Sequence, residues 1–160
     1  VRVSLGSGNW KCIAYQPAVG ILQAASQTAA GIAELATAAE VRNGTAGKII
    51  DPAILAGAGA IVSLTDAATV AVDWNTFINA DVTITANRAL GNPTNVQVGT
   101  FRTITAKGSS STDRTLTFGS NYEGDIPTLT DIDDGKWYLL TLFALTATHI
   151  VLTSVTALKP

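Results

Sequence analysis

Lys136-Trp-Tyr-Leu-Leu-Thr-Leu-Phe-Ala144, with Thr148-His-Ile-Val-Leu-Thr-Ser-Val-Thr156 after it, is the stretch on which the fold turns. Trp137 to Val151 is the longest candidate for a membrane span, but Thr141, Thr146, Thr148 and His149 interrupt it. A membrane span needs about 20 predominantly apolar residues, so the stretch reads as two strands around a Thr-Ala-Thr-His turn, with no membrane insertion. Working outward, short alternating runs recur at 61–65, 69–72, 82–85, 100–106 and 114–118, rich in Thr, Val and Ile. Branched side chains favour a pleated surface. Turn clusters at 87–95, 107–113 and 119–135 separate the runs. Residues 61–160 therefore read as a mainly β domain, an antiparallel β-sandwich or barrel-like unit. Its inward candidates are Val82, Ile84, Phe101, Ile104, Leu116, Phe118, Trp137, Leu140, Leu142, Ile150, Leu152 and Val155.

Composition changes near residue 60: residues 1–60 hold 15 alanines and 3 threonines, and residues 61–160 hold 10 and 19. Hydrophobic residues make up 47% and charged residues 14% of the chain, against about 25% charged in ordinary globular domains. So few charges leave the surface to be clothed by Thr and Ser or covered by other copies. Net charge is -2 and the ten basic residues are scattered, which excludes a phosphate-neutralising patch and with it nucleic-acid binding. Cys12 is the only cysteine, so neither an internal disulfide nor a multi-cysteine zinc site is expected. The chain has no Met and is expected to be a processed product or a piece of something longer.

Upstream of residue 61 three segments are expected. Residues 1–16 alternate as a β-hairpin, read as the closing hairpin of an upstream domain. Residues 17–33, rich in Ala, Gln, Ser and Gly, form an extended linker. Residues 34–60 carry two short helices. Thr37 and Glu40 fit a capping box, and Gly44 supplies a left-handed stop. Asp51 caps the second helix, Pro52 opens it and Gly57 ends it. Helices this short are marginal in water and need a neighbour to lean on.

The stretch Gly31-Ile-Ala-Glu-Leu-Ala-Thr-Ala-Ala-Glu40-Val41-Arg-Asn-Gly44-Thr45, with Ile50-Asp51-Pro52 and Leu55, resembles the phage tail-fibre repeat, with Asp51 where that family usually has Thr. Leu90-Gly91-Asn92-Pro93-Thr94-Asn95 and Arg114-Thr115-Leu116-Thr117-Phe118-Gly119 are similar to a β-rich domain at the ends of virion fibre proteins. The resemblance implies a homotrimeric virion fibre or spike that attaches to the host surface without catalysis. Its partners would be its own copies, other fibre, tail, head or baseplate proteins, and a host surface glycan. Leu35, Val41, Ile50 and Leu55 would pack between the three chains. The alternatives are a purely architectural connector of a head, tail or baseplate appendage and a polysaccharide-degrading fibre.

Little in the sequence offers chemistry, and no cofactor is expected. His149 is the only histidine and falls in a turn. Five of the twelve acids lie between Glu123 and Asp134, but Asp131-Ile-Asp133-Asp134-Gly135 has its glycine one place early for a calcium loop and lacks the closing Glu. Recognition is expected on loops, with Asn92, Asn95, Tyr122 and Asp125 as candidate receptor contacts.

Overall fold

The computed structural model describes residues 2–4, 10–12 and 34–158. The chain forms two compact units, Val1–Glu34 and Leu35–Pro160. In the first, β1 (Arg2–Ser4) and β2 (Trp10–Cys12) pair antiparallel, with Val3 opposite Lys11. The linker expected at 17–33 lies outside the described residues.

The second unit begins with a small ribbon and two helices. After β3 (Glu34–Leu35), the Ala36 N–H donates to the Ile49 carbonyl of β4 (Lys48–Ile49) at 2.8 Å. Between them runs α1 (Ala38–Asn43). The Glu40 N–H donates to Thr37 Oγ1, the Thr37 N–H donates to the Glu40 carboxylate, and Gly44 adopts φ 66°. α2 (Pro52–Ala58) starts where Asp51 Oδ1 accepts from the Ala53 N–H at 2.7 Å. It runs past Gly57 and ends at Gly59. The expected stop at Gly57 is thus corrected: the helix keeps its bonds through that residue, and the Gly59 N–H closes on Leu55 and Ala56.

The remainder is mainly β in a β-solenoid-like arrangement. Its strands are β5 (Ile61–Ser63), β6 (Thr69–Val70), β7 (Asn79–Ile84), β8 (Arg88–Leu90), β9 (Phe101–Gly108), β10 (Arg114–Phe118), β11 (Tyr122–Glu123), β12 (Leu129–Ile132), β13 (Trp137–Ala144) and β14 (Ile150–Leu158). A six-stranded sheet has the order β11-β14-β13-β9-β7-β5 and a four-stranded sheet the order β12-β10-β8-β6. From β5 to β10 the chain alternates between the sheets, so each coil gives one strand to each. Successive coils pair in parallel: β5 with β7, β7 with β9, β6 with β8 and β8 with β10. Only β12, β13 and β14 enter antiparallel.

The expected antiparallel sandwich is corrected accordingly. Period-2 alternation identifies a strand but not its direction, and the short turns that suggested hairpins are corners where the chain crosses to the other sheet. Between the sheets lies one core, in which equivalent positions of successive coils stack. Ala80 meets Ile104 and Leu140 in register, and Val70 meets Leu90 and then Phe118. Trp74, Phe77, Ile84, Leu116, Ile132 and Ile150 are fully buried in it. Two of the expected inward residues face out. Phe101 is exposed and stacks obliquely on Phe143 at 4.7 Å. Trp137 is half-buried under the Lys107 ammonium, 5.1 Å from its ring centre.

Side chains lace the corners from coil to coil. Asp66 accepts from Arg88 Nε at 2.6 Å and from Arg88 Nη2 at 3.0 Å, and also from the Thr85 N–H and hydroxyl. The helical segment is tied on by Arg42 Nε donating to the Asn75 carbonyl and Asn79 Nδ2 donating to the Gly59 carbonyl. Among the described residues no helix is long and apolar enough to cross a membrane.

Candidate functional site

The β region opens on one side. β12 is the outer strand of its sheet, and β11 covers the edge of β14 only at Ile150 and Val151. From Leu152 onward the sheets part around a cleft of about 590 Å³. Its floor is apolar, with Leu129 and Leu152 buried and Val155 half-buried. Its rim is hydroxylated by Thr128, Thr130, Thr153 and Ser154, all exposed. Asp125, Pro127 and Tyr138 also line the cleft.

Local sequence explains the opening. Gly124, at φ 102°, brings its backbone beside the Leu152 carbonyl, where a Cβ would sit at 3.4 Å. β14 carries a bulge: Thr141 pairs with Ser154 and Leu142 with Leu152, leaving Thr153 as the extra residue. The Thr153 hydroxyl donates to the Thr141 carbonyl at 3.1 Å. A bulge of this kind increases local twist and turns the strand edge away from a would-be partner strand.

Inside the wall, Asp131 is fully engaged. It forms an ion pair with Lys136 and accepts from the Tyr138 hydroxyl at 2.6 Å. The Lys136 ammonium, then the Tyr138 hydroxyl, hold its carboxyl below the usual aspartate range. Burial first, and then the bonded Asp131, push the Tyr138 phenol up. Asp125, by contrast, is exposed and makes no ion pair or hydrogen bond among the described residues. The cleft therefore presents one unopposed carboxylate beside one that is already neutralised.

The sequence-derived candidates scatter. Asp125 lies on the cleft, but Asn92 and Asn95 serve the corners. Asn92 Oδ1 accepts from the Asn121 N–H at 2.9 Å while its amide donates to Ser120 Oγ, and Asn95 Nδ2 donates to Asp73 Oδ1 at 2.9 Å. Tyr122 is corrected outright: it is 4% exposed, packs edge-on against Phe118 and donates its hydroxyl to the Gly91 carbonyl. Leu35, Ile50 and Leu55 stand 59%, 51% and 54% exposed, and Val41 is half-buried. Sequence reading missed Tyr138, Thr153 and Ser154, which become neighbours of Asp125 only through the register of β14. The available signal was the acidic loop preceding a Thr-rich final strand.

Among the described residues the remaining ionisable groups form no second centre. Among the described residues no three His, Cys, Asp or Glu side chains converge to hold a metal. Asp133 Oδ1 instead accepts from the Gly135 N–H in a local turn, and His149 Nδ1 contacts the Glu123 carboxylate. Family models, curated proteins and solved structures yield no match to the chain.

Proposed function

We propose that the chain is a structural segment of a homotrimeric virion fibre or spike that mediates attachment to the host cell surface without catalysis. One observation carries the reading: the capped two-helix segment leaves Leu35 of β3, Ile50 after β4 and Leu55 of α2 in water in a single copy. A segment that fixes its backbone and leaves large apolar side chains exposed suits a symmetric neighbour. Covering these three side chains would contribute about 1 kcal/mol each per chain. The low charge of the whole chain and the tail-fibre-like motif support the same assembly. Its partners would be two further copies of itself and other fibre, tail, head or baseplate proteins, with a surface glycan as receptor.

Electrostatics argues against Asp131 as the acid of a hydrolase. A glycosidase needs one carboxyl whose pKa is raised so that it can donate a proton. In the cleft Asp131 is held the other way, by Lys136 and Tyr138. Sedimentation equilibrium of the full chain tests the assembly: three copies per particle are expected, and a stable monomer at micromolar concentration would refute it. Competition with phage adsorption tests the attachment role. Trimers that never compete on any susceptible host would leave the purely architectural connector.

A further inference from the structure

We infer that the cleft between β12 and β14 binds an uncharged oligosaccharide, with Asp125, Thr128, Thr130 and Ser154 as its polar contacts over the Leu129–Leu152 floor. Its volume of about 590 Å³ lies within the roughly 300–1,000 Å³ of small-molecule sites. The ligand class follows from the lining. Ser and Thr hydroxyls both donate and accept, as sugar hydroxyls do, while an ionised carboxylate accepts from two hydroxyls at once. A sugar ring also has an apolar C–H face, which matches the leucine floor.

Charge narrows the class. The cation beside the cleft, Lys136, is already paired with Asp131, whereas Asp125 is unopposed among the described residues. Among the described residues an acidic sugar or phosphate would meet that carboxylate with no free cation lining the cleft to offset it, and like charges at close range repel. An extended peptide is the other ligand an open edge invites. Here the bulge at Thr153 twists one edge, and Pro127, at the approach to the other, has no N–H to donate.

The assignment rests on the attachment reading for the source of the glycan, and its chemistry can be tested separately. The full chain is applied to immobilised neutral hexose and N-acetylhexosamine oligosaccharides beside sialylated, uronic-acid and phosphorylated counterparts. Neutral glycans are expected to be retained. The Asp125→Ala/Ser154→Ala variant should bind them about tenfold more weakly, from the loss of two hydrogen-bonding groups. Ser111→Ala, on the β9–β10 turn, should bind as the parent does. All three positions are exposed, and matching circular dichroism spectra establish that the variants fold. Preference for acidic glycans, retention of none, or equal binding by the double variant would each overturn the assignment. If the double variant binds glycans like the parent while the chain adsorbs to host cells, the cleft assignment falls and attachment stands. If neutral glycans occupy the cleft but the chain adsorbs to no host, attachment falls and the saccharide site stands.

Discussion

Gly119 shows how closely the corners are fitted. A Cβ there would lie 2.3 Å from Asn92 Oδ1, the atom that accepts from the Asn121 N–H. Gly119→Ala must therefore displace the Asn92 side chain and loosen the corner, and is expected to destabilise the fold by about 1–3 kcal/mol. Asn92→Ala removes the closest obstacle as well as the bond, leaving the Asn92 backbone nitrogen at 3.0 Å. The double variant should then lose less than the sum of the two single losses, measured by urea unfolding. Strict additivity would mean that the two residues do not share a corner. The same geometry gives Asn92, a candidate receptor contact by sequence, a structural partner in the next coil. An asparagine in a polar turn looks the same whether its amide faces a receptor or the next coil.

Helix α1 stands on its caps rather than on burial, since none of its residues is buried. Thr37→Ala removes the acceptor for the Glu40 N–H and is expected to cost the helix about 1 kcal/mol. Hydrogen exchange should quicken at amides 40–44 and stay unchanged in β9 and β13. Equal acceleration in the sheets would show that the segment and the β region open together. Elements of this kind were legible in the sequence because each cap is a local residue pattern. β10 was legible too, its alternation being bounded by turn residues on both sides. β8, β11 and β12 were not. Arg88–Leu90 sits among turn formers, and Tyr122–Glu123 and Leu129–Ile132 sit in an acidic loop, so pairing with distant strands makes them strands. The cleft inherits that difficulty, because it exists only once β12 and β14 have found their separate sheets.

Over the whole molecule, ionised aspartates bridge coils and strands, and this sets the response to acid. Asp66 is held below its ordinary pKa, first by Arg88 and then by Thr85. Asp81 is held low by Lys107, and Asp131 by Lys136. A carboxyl depressed in the folded state binds its proton more readily when unfolded. Its stabilisation is therefore complete above the ordinary aspartate value of 3.8 and fades as pH falls below it. The thermal midpoint should be level near neutrality and decline in acid. Asp66→Asn should lower it at pH 7 and make the acid decline shallower, as scanning calorimetry would reveal; an unchanged profile would mean that the bidentate bridge contributes nothing. The hairpin of β13 and β14 has a different consequence. Parallel coils invite indefinite continuation, since every layer offers the next the same template. By lying antiparallel on β9, the hairpin breaks the parallel template of the stack, and only the two residues of β11 pair beyond it. Duplicating one β7–β8 unit would therefore lengthen the stack while leaving the antiparallel hairpin intact, so that the number of coils and the hairpin are separable features of the fold.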